Sequence, residues 1–163
     1  VAGLDIAFWT LAVIGVASAL TVVLLRNVFR AALSLVLCFL AVAGIYVSLS
    51  ADFLAAVQVL IYVGAISVLI ILAIMLTRDV QRGSLSNKFR IPAFFVAILF
   101  LGAVGFAVCN TPWQIAGIAP QEPTTSALAG KLFGEGGFVL PLEITPVLLL
   151  AAILGAIILV REK

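Results

Sequence analysis

Three polar side chains interrupt an otherwise apolar run: Gln58, Tyr62 and Ser67, with Gly64 and Ala65 between the last two. The set lacks the carboxylate, lysine or histidine that proton-carrying membrane proteins keep at mid-depth. Its chemistry is hydrogen bonding, ordering of water and control of helix geometry. Gln58 and Tyr62 are four apart and share a face of an α-helix. Gln58 and Ser67 can also serve as hydrogen-bonding contacts to neighbouring helices. At Tyr62-Val63-Gly64-Ala65 an aromatic hydroxyl meets glycine where no turn is required. Glycine there costs up to about 1 kcal/mol in a soluble helix. Close helix packing or a local departure from α geometry would justify it. A π-bulge inserts one residue into a turn. Forming or removing it swings everything beyond by roughly 100°. Gly64 lowers the steric barrier to that change. Tyr62, Gly64, Ala65 and Ser67 are therefore the candidate gating residues.

The element that must position them is residues 53–77, which contain no charge and no proline. As a straight helix they would extend roughly 37 Å, more than a hydrocarbon core of about 30 Å. Tyr62 falls about ten residues in, or roughly 15 Å deep, near the midplane and far from an interfacial belt. Four further apolar segments, residues 6–25, 31–49, 91–109 and 142–160, are each close to the roughly 20 residues of a spanning helix. The expected fold is all-α and integral to the membrane: one membrane domain over 1–163 with five transmembrane helices and an outer loop at 110–141. Apolar residues make up 65% of the chain and charged residues 10%, which excludes a soluble domain of ordinary composition.

Charge gives a direction. Arg26 and Arg30 flank the first connection; Arg78, Arg82, Lys88 and Arg90 lie in or beside the third; Arg161 and Lys163 end the chain. Only Lys131 lies on the other side. The positive-inside rule then places the N-terminus outside and the C-terminus in the cytoplasm. No basic stretch precedes the first segment, which argues against a cleaved signal peptide. Trp9, Tyr46 and Trp113 suit an aromatic belt on the outer side. No internal repeat supports an inverted-repeat transporter.

One carboxylate stands apart. Pro141 fits a first helical position, and Glu143 follows in the first turn, where the helix dipole favours a negative charge. Its alternative role is at the outer mouth of a proton path. The chain has no histidine and two cysteines. Cys38 and Cys109 lack metal-ligand spacing and read as small buried hydrophobes. A nucleophile–base pair, a phosphate-binding loop and a metal cluster are all missing from the pattern, so no catalytic site, metal or bound cofactor is expected in this chain.

Ala51-Asp52-Phe53 followed by Gln58-Val59-Leu60-Ile61-Tyr62-Val63-Gly64-Ala65-Ile66 and Leu69 to Met75 resembles the third helix of the J-type membrane subunit of proton-pumping NADH–quinone oxidoreductase, respiratory complex I. Mitochondrial chain 6 and the photosynthetic G subunit are its equivalents. Leu25-Arg26-Asn27-Val28 with Ala31-Ala32-Leu33, and Leu140-Pro141-Leu142-Glu143 with Leu148-Leu149-Leu150, extend the resemblance over nearly the whole chain. Thr111-Pro112-Trp113 paired with Leu140-Pro141-Leu142-Glu143 looks like the photosynthetic-type chains. The resemblance implies a π-bulge just after Tyr62 that converts to α during turnover and gates a water path from the quinone cavity. It implies a non-catalytic subunit in the membrane arm. The partners would be a quinone-site subunit, a small K-type subunit, antiporter-like subunits and lipid, without nucleic acid. Quinone and the redox cofactors would sit in those partners. Where many relatives carry an aromatic residue downstream, this chain has Leu69 and Ile70. The competing readings are a small stand-alone transporter and a structural membrane adaptor. The missing intramembrane charges oppose the first, and the mid-helix Tyr–Gly element is superfluous to the second.

Overall fold

The computed structural model describes residues 2–77, 90–113 and 123–161. Arg78, Arg82, Ser84, Lys88, Glu122 and Lys163 lie outside the described residues, so the direction of insertion rests on the charge distribution in the sequence. Helix α1 covers Ala2–Leu24 and α2 covers Val28–Ser48. Helix α3 runs Asp52–Leu76 in three parts: α over Asp52–Val57, π over Gln58–Ile66 and α over Ser67–Leu76. Then come α4, Arg90–Asn110; α5, Thr124–Phe133; and α6, Leu140–Val160. All except α5 are long and apolar enough to cross a membrane. Among the described residues there is no strand.

Helix starts and stops follow local chemistry. Asn27 caps α2, its side chain accepting the Arg30 backbone N–H at 3.2 Å, which satisfies a first-turn donor without an intrahelical partner. The α2–α3 turn closes α2 with a double bond pattern: the Ser50 N–H donates to the Val47 carbonyl and the Ala51 N–H to the Tyr46 carbonyl. That pattern wants a left-handed residue, usually glycine, and Ser50 adopts it with φ 57°. Ser50→Gly should therefore raise stability by about 0.5–1 kcal/mol. Thermal unfolding of the detergent-solubilised assembly would register the gain, and a lowered midpoint would contradict it.

Residues 110–141 read as loop from their Pro, Gly, Ser and Thr content, yet α5 forms inside them. Pro123 precedes it and Gly134 follows it, and half of the stretch between is the good helix formers Ala, Leu and Lys. This helix touches the site's support. The Phe53 N–H donates to the Thr124 hydroxyl at 3.3 Å, because Ala51 supplies no side-chain cap to α3.

Helix α2 is the spine, packing on α1 and on all three parts of α3. Small residues allow this. Ala32, Ala41 and Ala43 of α2 are buried. At Gly44 a Cβ would come 2.8 Å from Leu11 Cδ1, so the missing side chain makes room for Leu11 of α1 against α2. Ser18, also buried, returns its hydroxyl to the Ile14 carbonyl at 2.6 Å. The Cys38 thiol donates to the Gly15 carbonyl across the same interface, at 3.6 Å.

Helices α4 and α6 pack on no other described helix. Every described side chain of α4 is exposed, and every one of α6 except Leu142. Cys109 belongs to that open surface of α4, while Cys38 is half-buried. The expectation of two buried cysteines therefore fails at Cys109, because α4 contributes nothing to the α1–α3 bundle.

Candidate functional site: the π segment of the third helix

The buried or half-buried side chains of α3 are Ala55, Val57, Gln58, Val63, Ile66, Ser67, Ile70, Ile71 and Ile74. The gap from Gln58 to Val63 is five, and every other gap is three or less. An α-helix repeats a face every three or four residues, so the single step of five marks an inserted residue. It falls inside Gln58–Ile66, where the bonding is i→i−5. Relative to the expected position just after Tyr62, the π geometry starts a turn earlier and ends at Ile66, leaving Leu69 in α-helix. No proline or kinked glycine forces it.

Its closure is chemical. The Tyr62 carbonyl accepts the Ser67 backbone N–H and also the Ser67 hydroxyl at 2.6 Å. One residue thus supplies both donors at the end of the π run. Ser67 is 2% exposed and Gln58 is 7% exposed, and the described helix packed against this stretch is α2. Nine residues on a continuous α-helix subtend about 900°, which puts the two on opposite sides. The inserted residue is what lets both face α2.

Gln58 and Tyr62, four apart, both lie towards α2, Gln58 buried and Tyr62 42% exposed. The Tyr62 ring packs edge-on against Phe39 of α2, with centroids 5.4 Å apart and planes at 68°. That geometry suits the aromatic quadrupole. Phe39 is part of this site and nothing in its own sequence neighbourhood marks it, since it sits in a generic apolar helix. Gly64 and Ala65 lie on the exposed side. A Cβ at Gly64 would stand 3.4 Å from the Val59 carbonyl oxygen.

Glu143 is not brought to this site. It is exposed, in the first turn of α6 behind Pro141, with Pro146 inside the helix. The Thr145 hydroxyl donates to the Pro141 carbonyl at 2.8 Å. With Glu143 confined to a helix start, Glu143→Gln should lose a few tenths to about 1 kcal/mol of local stability and leave proton translocation intact. A large fall in the proton-to-electron ratio in a normally assembled complex would assign it to a proton path. Among the described residues no group of three His, Cys, Asp or Glu comes together to hold a metal.

Five apolar spans, a π segment at the centre of one of them and two spans that pack on no other described helix define an integral membrane protein. Comparison with known proteins says which kind. Residues 18–159 match the family described as NADH-ubiquinone/plastoquinone oxidoreductase chain 6, and the chain belongs to that family. Chain 6 of NAD(P)H-quinone oxidoreductase from Synechocystis is 42% identical over 160 residues, covering 96% of this chain and 80% of the relative. Subunit J of F(420)H(2) dehydrogenase from Methanosarcina mazei is 37% identical over 161 residues, covering 96% and 90%. A chloroplastic subunit 6 from Adiantum capillus-veneris is 41% identical over 154 residues, covering 86% and 76%. The protein is accordingly a membrane subunit of a complex I-type quinone oxidoreductase, with other subunits of that complex as partners. The resemblance read from the third helix holds.

Proposed function

We propose that α3 couples quinone reduction to proton translocation by converting between the π form and a continuous α-helix, opening and closing a water path. One observation carries the reading: Ser67 closes the π segment on the Tyr62 carbonyl while Gln58 and Ser67 both face α2. Straightening the helix removes the extra residue from the turn. Everything beyond Ile66 then rotates by roughly 100° relative to Asp52–Val57. Ser67 leaves α2, and a continuous α-helix aligned on Gln58 turns Ala65 and Leu69 towards it instead. A polar, hydrogen-bonded contact is exchanged for an aliphatic one, which is the change needed to admit or expel water.

This chain moves no proton through a side-chain relay of its own. Its described carboxylates sit at helix ends or in the connection: Asp5, Asp52, Glu135 and Glu143. The carboxylates and lysines of the path belong to partners: a quinone-site subunit, a small K-type subunit and antiporter-like subunits. Quinone and the redox cofactors are held there too. The relatives are named for F(420)H(2) and for NAD(P)H, which agrees with an electron donor bound elsewhere in the complex. The open flanks of α4 and α6 favour assembly with such partners over a stand-alone transporter.

Density maps of the intact complex, at rest and during steady turnover, test the proposal. The π segment should be present in one condition and replaced, in a measurable fraction of particles, by unbroken α-helix in the other. An unchanged π register in both would end it.

A further inference from the structure

Beyond the π segment, at the end of the bundle where α1 passes into α2, lies an open groove of about 310 Å³. Val22 of α1 and Leu25 just past its end form one wall, Ile70 and Ile74 of α3 the other, and Ala31 and Leu35 of α2 the floor. Every lining side chain is aliphatic. Its mouth is cationic: Arg26 directly follows Leu25, Arg30 directly precedes Ala31, and both are exposed. The Asn27 cap fixes the backbone between them through its bond to the Arg30 N–H. Asp5 and Asp52 belong to the opposite end, roughly 30 Å away along the helices.

We propose that this groove binds one anionic phospholipid, an acyl chain lying between α1 and α3 and the phosphate between Arg26 and Arg30. The floor from Val28 to Leu35 is roughly 10 Å long, most of one leaflet's hydrocarbon depth of about 15 Å. The groove therefore starts at the interface and ends before the midplane, as a lipid tail needs. An apolar slot with two exposed guanidinium groups at its mouth matches an anionic headgroup above a chain, because guanidinium binds phosphate through paired N–H donors.

The test uses the intact complex, delipidated in detergent and titrated with phosphatidylglycerol or phosphatidylcholine, with bound lipid counted by native mass spectrometry. The wild-type complex should bind one more phosphatidylglycerol, tightly, than the Arg26→Gln/Arg30→Gln variant, whose affinity at that site should be about thirtyfold weaker. Ala31→Phe, which fills the floor, should remove the same equivalent. If Ala31→Phe does not assemble, the double arginine variant decides alone, since it alters only exposed side chains. Equal binding in wild type and double variant, equal retention of phosphatidylcholine, or a neighbouring subunit's side chains seen filling the groove would each overturn the proposal.

Discussion

Gly64→Val should abolish most coupled quinone reduction in a complex that still assembles. Gly64 lies in the π segment on the side away from α2, so no neighbour in this chain opposes a larger residue. The constraint is local. A Cβ here would stand 3.4 Å from the Val59 carbonyl oxygen, five residues back. That is ordinary contact for alanine, and Gly64→Ala should keep activity within about a factor of two to five, the effect of up to about 1 kcal/mol. Valine adds two methyl groups with a restricted χ1, against a Val59 carbonyl already at contact distance in the π turn. Overpacking of this kind costs about 1–3 kcal/mol. It shifts the π–α equilibrium roughly five- to a hundredfold. The measurements are the rate of quinone reduction, the proton-to-electron ratio and the amount of intact complex on a native gel. Normal pumping by a normally assembled Gly64→Val complex would refute the conversion as a coupling step.

Ser67→Leu should lock the same helix in the opposite sense to its native closure. At 2% exposure, Ser67 has no room for a branched side chain against α2, and overpacking costs about 1–3 kcal/mol. The variant also loses the hydroxyl bond to the Tyr62 carbonyl, worth about 1 kcal/mol. Only the overpacking falls on the π form alone, because in an α-helix a serine hydroxyl bonds the carbonyl four residues back, as Ser34 and Ser48 do. In a continuous α-helix position 67 turns about 180° from Gln58, where leucine meets no obstacle among the described residues. The overpacking, about 1–3 kcal/mol, favours the α form some five- to a hundredfold. Density for the Ser67→Leu complex should show unbroken α-helix through residues 58–66, with coupled activity largely lost. Ser67→Ala, which removes a hydroxyl bond that either form can make, should leave the balance little changed. A π segment kept at full occupancy in Ser67→Leu would show that Ser67 does not hold it.

Several features were legible in the sequence because they depend on neighbours within a few residues. Five apolar runs of spanning length become helices since a backbone in lipid has no other way to satisfy its polar groups. Pro141 and Glu143 begin α6 because proline suits a helix start and a carboxylate suits its dipole. The irregular turn was visible as a tyrosine and a glycine at mid-depth without a proline to explain them. The family itself could be read from the third helix, whose residues are distinctive where the other spans are generic.

Tertiary structure alone decided the register. At 3.6 residues per turn Gln58 and Ser67 fall on opposite sides of the helix, and one inserted residue undoes that for every position after it. The insertion is favoured by packing on α2: Ala55 and Gln58 above it, Ser67, Ile70 and Ile74 below it, all turned inward. Those positions can share one face only if the helix takes a five-residue step between Gln58 and Val63. Likewise Phe39 against Tyr62 and Thr124 on the Phe53 N–H join residues far apart in the chain, and no local pattern encodes such contacts. Local sequence determines where a helix can depart from α geometry. The neighbouring helix determines whether and in which register it does, because the cost of the departure is local while the contacts that offset it are not.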